Sequence, residues 1–185
     1  MELVELAREL DVDGRTLRRA VADGTIRCER LSARRQHVSQ DERRYAAAHW
    51  PLLSTLRRAL RTEPNVRLAV LFGSVARGDD TPASDLDLLV SLREDRADAA
   101  VKLAVRIERA VGRHVDVARL NRVQATAPLL LLRALDEGRV LLDRDGEWPA
   151  LKTHRSEIAR RARRAHEARR QRARASIREL LATQP

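Results

Sequence analysis

Hydrophobic and polar positions change period several times along this chain, and each change marks an element. Leu3, Leu6, Ala7 and Leu10 recur at helical spacing, and Asp13 reads as the cap of a second helix over Gly14–Ala22 that Gly24 ends. Leu17, Ala20 and Val21 face inward on that helix. Thr25–Arg30 and Ser32–Val38 predict a small hairpin around Ala33 and Arg34. From Asp41 to about Arg61, Tyr45, Ala48, Leu52, Leu56 and Leu60 mark a helix that Pro51 must start, kink or interrupt. Val66–Phe72 is a continuous apolar run and reads as a strand.

Beyond it, Leu86, Leu88 and Val90 alternate with Asp85 and Asp87, so a strand of period 2 turns the apolar residues to the core and both carboxylates to the other face. Asp98–Val111 predicts a helix of about four turns stopped by Gly112. His114–Leu120 alternates again, with Val115 and Val117 on one face and His114, Asp116 and Ala118 on the other. Gln124–Glu137 is apolar around most of its circumference and predicts a buried helix ending at Gly138. Arg139–Asp143 is a short strand, Asp145-Gly146 a turn, and Trp148–Leu181 one helical tail carrying a thin apolar stripe of Leu151, Ile158, Ala162 and Ala165 onward.

Composition narrows the picture. The 185 residues suffice for one ordinary domain or two small ones, and 43% hydrophobic content supports a real core. Tyr45, Trp50, Phe72 and Trp148 are the only aromatics, too few for recognition of single strands by base stacking. Cys28 stands alone, so no internal disulfide forms. No apolar run approaches the roughly 18 residues of a membrane span, and a cytoplasmic protein with no membrane association is expected. The net charge of +10 is uneven: residues 1–60 hold 12 basic and 9 acidic side chains, residues 61–150 hold 14 and 15, and residues 151–185 hold 11 and 3. Any polyanion binding therefore belongs to the ends of the chain.

The centre carries the chemistry. Gly73, Ser74 and Gly78 follow an apolar strand and can bring backbone N–H groups close to phosphate oxygens, while Arg77 adds a fork-shaped cation. Asp85 and Asp87 are hard oxygen donors suited to a divalent ion, so a magnesium nucleotide is the expected ligand. Ser74 lies outside the G-x-S-x-G spacing of a hydrolase nucleophile and reads as a phosphate contact. Asp79 and Asp80 read as solvated turn residues, and His114 as a half-exposed strand residue outside the site.

Together, Gly73-Ser74, Arg77-Gly78 and Ser84-Asp85-x-Asp87-Leu88 resemble the signature of the polymerase-beta-like nucleotidyltransferases, most nearly the minimal nucleotidyltransferase branch. The resemblance implies an α+β fold built on a small mixed sheet. It implies Asp116 as a third metal-binding acid beside Asp85 and Asp87, two Mg2+ ions, ATP as substrate, and Gly73, Ser74, Arg77 and Ser84 on the nucleotide. It further implies transfer of AMP to a tyrosine of a HEPN-type toxin, the chain acting as antitoxin.

The segment from Leu6 to Ser39 resembles a winged helix-turn-helix of the excisionase or MerR type, which implies DNA contacts from Arg15, Arg18, Arg19, Arg34 and Arg35; a helical interaction module with a solvated basic face is the alternative. The arginine-rich tail suits RNA, an acidic partner protein or plain solvation. The expected division is a DNA-binding module at 1–44, a linking helix at 45–65, a nucleotidyltransferase domain at 66–147 and a basic helix at 148–185. A homo-oligomer is compatible with the sequence. Competing functions are an aminoglycoside-type or tRNA nucleotidyltransferase, and a DNA-binding regulator that senses nucleotide without turnover.

Overall fold

A computed structural model describes residues 2–30 and 36–182. The chain opens with α1 (Leu3–Glu9) and α2 (Gly14–Asp23), followed by a two-stranded ribbon of β1 (Glu29–Arg30) and β2 (Gln36–His37). Asp13 caps α2 by accepting the Arg15 and Thr16 N–H groups at 2.7 and 3.1 Å, and Gly24 ends it in the left-handed region that glycine tolerates (φ +87°). The ribbon pairs Glu29 with His37 and Arg30 with Gln36, while the expected turn at Ala33 and Arg34, and Arg35 with it, lies outside the described residues.

Next, α3 (Gln40–Arg61) runs through Pro51, which neither starts nor interrupts it. A four-stranded sheet follows from β3 (Val66–Phe72), β4 (Leu86–Leu92), β5 (Val115–Arg119) and β6 (Arg139–Asp143), in the order β5-β4-β3-β6. β3 is antiparallel to β4 and β6, whereas β4 and β5 are parallel, joined by the crossover helix α5 (Ala97–Val111). The mixed sheet within an α+β architecture is the fold that the sequence led us to expect.

Both sheet faces are covered, which is why β3 and β4 read as apolar runs. Ala69, Leu71, Leu88 and Val90 face a core shared with Leu53, Leu56, Leu60, Leu103 and Ile107 from α3 and α5. Leu68, Val70, Phe72 and Leu89 face a second core. That second core is filled from α6 (Leu120–Thr126), α7 (Pro128–Glu137), α8 (Glu147–Thr153) and α9 (Arg155–Ala182), through Val123, Leu131, Leu135, Trp148 and Ile158. Leu6, Leu17, Ile26 and Val38 from the amino-terminal segment belong to the first core, so hydrophobic packing is continuous across it. Gly24 and Thr25 also occupy the outer edge of β6, accepting the Val140 N–H at 3.2 Å and donating to its carbonyl at 2.5 Å. That contact satisfies an edge otherwise open to pairing.

Two helices expected to be single are each divided in two. The Gln124–Glu137 helix breaks at Ala127 (φ −137°, ψ 58°), because the proline after it disfavours helical geometry at that residue and Pro128 starts α7 instead. Leu129 is exposed, so α7 is buried on one side only. The tail breaks at His154, and the apolar stripe of α9 is shorter than expected: Ile158 and Ala162 are buried but Ala165 is exposed.

Candidate active site

At the end of β3 the chain must turn sharply beside β4, whose Asp87 pairs with Phe72. Gly73 makes that turn at φ +76°, and a Cβ there would lie 2.1 Å from Asp87 Oδ2, so only glycine fits. The expected glycine turn is itself a short helix, α4 (Gly73–Arg77), closed by Gly78 at φ +84° through its N–H to Ser74 O. Gly78 packs on Tyr45, where a Cβ would meet the ring at 3.0 Å.

Asp85 stands just ahead of β4 and is exposed; Asp87 is its second residue and is half-buried. The parallel register sets Asp116 of β5 directly opposite Asp87, and the Leu86 N–H bonds to His114 O at 2.9 Å. The acids' side of β4 is not open along its length, as Leu89 is fully buried in the second core; the carboxylates lie at its amino-terminal end. Burial, then the charges of Asp116, Asp85 and Glu137, push the Asp87 carboxyl above its ordinary value, with Arg77 opposing them.

The structure thus brings Asp85, Asp87 and Asp116 near one another at the start of β4 and β5, with Asp87 against Gly73. Donor atoms of Asp85, Asp116 and His114 all lie within 4.8 Å of one another, an oxygen-rich set that fits a divalent ion. The alternation that put His114 on the face of Asp116 is met in the fold, which holds its Nε2 3.7 Å from Asp116 Oδ1, although a half-exposed strand histidine was expected to stay outside the site.

Glu137, the last residue of α7, was invisible in the sequence. Its Oε1 accepts the Gly73 N–H at 2.9 Å, and both its oxygens take Arg77 Nη1, at 3.0 and 2.9 Å. Arg77 Nε donates to Asp79 at 3.0 Å. A carboxylate therefore sits on the donors expected to meet phosphate. Ser74 lies half-buried in α4, and the Ser84 hydroxyl accepts the Thr81 N–H at 2.9 Å, shaping the loop before Asp85.

Asp80 is not the solvated turn residue that its surroundings in sequence suggested. Its side chain is 10% exposed and bridges His49 Nε2 at 2.8 Å and Arg113 Nη1 at 3.3 Å. Partial burial pushes its carboxyl up, yet His49 and Arg113 together hold it below its ordinary range.

Arg15, Arg18 and Arg19 are exposed on α2, while Arg34 and Arg35 lie outside the described residues. An open groove of about 680 Å3 runs among α5, β5 and α6, with His114 and Asp116 in its walls beside Val101, Val105, Val117 and Val123. Among the described residues no helix is long and apolar enough to cross a membrane.

Residues 54–147 match the family model described as polymerase beta, nucleotidyltransferase. This chain belongs to the polymerase beta nucleotidyltransferase family. The match takes in β3 to β6 with Asp85, Asp87, Asp116 and Glu137. A Methanocaldococcus jannaschii protein, whose name assigns it provisionally to the protein adenylyltransferases, is 37% identical over 73 residues, which are 39% of this chain and 75% of that relative. Among solved structures, a toxin–antitoxin complex with AMP-PNP matches with a TM-score of 0.55 at 20% identity, over 65% of this chain and 97% of the other. The toxin–antitoxin MntA-HepT matches with a TM-score of 0.52 at 17% identity, over 67% and 97%. At such identities these structures speak for the nucleotidyltransferase fold.

Proposed function

We propose that this nucleotidyltransferase moves AMP from ATP to a protein hydroxyl, a tyrosine of a HEPN-type toxin partner, and so acts as the antitoxin. The convergence of Asp85, Asp87 and Asp116, with Asp87 against Gly73, carries this reading, and the adenylyltransferase name of the M. jannaschii relative supports AMP and a protein acceptor. Asp85 and Asp87 would hold two Mg2+ ions and Asp116 the one nearer the acceptor. When bound, such ions stabilise the charge on attacking and leaving oxygens.

The remaining work falls to this chain's own groups. The acceptor oxygen attacks the α-phosphorus, its new O–P bond forms as the bond to the β-phosphate oxygen breaks, and pyrophosphate leaves. The hydroxyl proton passes to an Asp116 carboxylate oxygen, which is 69% exposed on its side chain and open to an incoming protein. The Gly73 N–H, the Ser74 hydroxyl and Arg77 steady the outer phosphates, which requires Glu137 to give up its two donors. Ser84 keeps the loop ahead of Asp85 in shape. The groove beside Asp116 is lined by Val101, Val105, Val117 and Val123 and opens next to the proposed proton acceptor.

ATP labelled on the α-phosphate, incubated with the chain, Mg2+ and the partner toxin, tests the reading. Label should appear on the toxin, and the same experiment with label on the γ-phosphate should leave it bare. Label on RNA or on a small molecule instead would overturn the protein-acceptor reading.

The exposed arginines of α2 support a second role, binding of operator DNA through the amino-terminal helices. Replacing Arg18 and Arg19 by Ala should weaken binding to the upstream DNA at least tenfold in a gel shift, and unchanged binding would exclude α2 as the reading helix.

A further inference from the structure

His114 immediately precedes β5, and its ring is fixed from one side. Nδ1 lies 2.6 Å from Glu108 Oε1, a carboxylate oxygen that also accepts the Val115 N–H at 3.0 Å. Since a carboxylate only accepts, Nδ1 carries hydrogen, and in the neutral imidazole Nε2 presents its lone pair on the opposite side of the ring. That side faces Asp116, whose Oδ1 is 3.7 Å from Nε2, too far for a hydrogen bond between them. Ligand atoms bound at about 2.1 Å around one ion stand roughly 3 to 4 Å apart, so this spacing is what a shared ion needs. Both side chains are more than half exposed, and an ion reaches them without rearrangement of the fold.

A histidine whose far nitrogen is held by a carboxylate is the usual supporting arrangement of a metal-binding imidazole. Mg2+ gains little from such a nitrogen, because it prefers oxygen and keeps its waters; a transition ion gains more. On the strength of the metal-dependent transfer proposed above, we infer that His114 is a nitrogen ligand at the Asp116 end of the site, positioned by Glu108, and that this position takes Mn2+ in preference to Mg2+.

The test uses the full chain without a polyhistidine tag and Mn2+ alone. Affinity is measured by calorimetry with Mg2+ in competition, and a directly bound nitrogen is read by pulsed electron paramagnetic resonance through the 14N modulation of the Mn2+ signal. The native chain should prefer Mn2+ at least tenfold and show the modulation. His114→Ala should lose the modulation and about tenfold in Mn2+ affinity while holding Mg2+ within twofold. Glu108→Ala should weaken Mn2+ by about tenfold or more. Modulation absent from the native chain, or unchanged in His114→Ala, overturns the inference while leaving metal-dependent transfer standing. Failure of the native chain to bind either ion would instead remove the metal-dependent reading itself.

Discussion

Asp87 shows how the fold holds one side chain in a costly state. Its carboxyl is half-buried, opposite Asp116 and in contact with the Gly73 backbone, and its proton affinity is raised above the ordinary 3.8. A raised carboxyl means that the folded chain binds the proton more tightly than the unfolded chain. Stability therefore declines as pH climbs from the ordinary value through the raised one, and stays lower above it. Asp87→Asn removes that decline, so in the absence of divalent ions its melting temperature at neutral pH should equal or exceed that of the native chain, while transfer is abolished. A fall of several degrees would show that the charge is structural. Asp85, Asp87 and Asp116 were legible in the sequence because alternation and the surrounding motif are local. Glu137 and His114 were not: Glu137 reaches Gly73 from 64 residues away, and His114 owes its orientation to Glu108 on the preceding helix.

At the scale of elements, the short helix α4 is held by a residue that reads only as part of a strand. Arg139 of β6 is 2% exposed and donates to Glu42 of α3 at 2.5 and 3.0 Å, to the Thr25 carbonyl at 3.2 Å and to the Ala76 carbonyl of α4 at 2.7 Å. Its guanidinium also lies 3.4 Å over the Tyr45 ring. Removing one partner of such a pair leaves the other charge buried, so Arg139→Ala should destabilise by about 3–5 kcal/mol in urea unfolding. Arg139→Met, tested with Glu42→Leu, should recover a substantial part of that loss. A cost below about 1 kcal/mol for the alanine variant would show the pair to be dispensable. Strand and helix periods revealed where these elements lie, but a charged residue inside an apolar strand gives no sign of its partner. The break at Ala127 was legible in principle, since Pro128 was visible, yet the apolar run on either side of it outweighed the proline.

Across the whole molecule, the apparent modules share one interior. Leu6, Leu17 and Ile26 are buried in the same core as Leu71 and Leu88, and Gly24 and Thr25 complete the edge of β6. A chain lacking residues 1–38 would expose that core, and should be insoluble or melt without a cooperative transition, where the full chain gives a single one. A soluble, cooperatively folding truncation would show the amino-terminal segment to be an independent unit. The mixed sheet within an α+β fold agrees with what the sequence led us to expect. The continuity of packing does not emerge from it, because helical periodicity identifies an inward face without naming what lies across from it.

In the proposed reaction Asp85, Asp87 and Asp116 direct AMP onto a protein hydroxyl. Mass spectrometry of the partner toxin after incubation with the chain, ATP and Mg2+ tests it most directly. The toxin should gain the mass of at least one AMP on a tyrosine with the native chain, and nothing with Asp85→Asn or Asp87→Asn at equal folded concentration. A toxin modified equally by those variants, or unmodified by the native chain, would contradict the assignment.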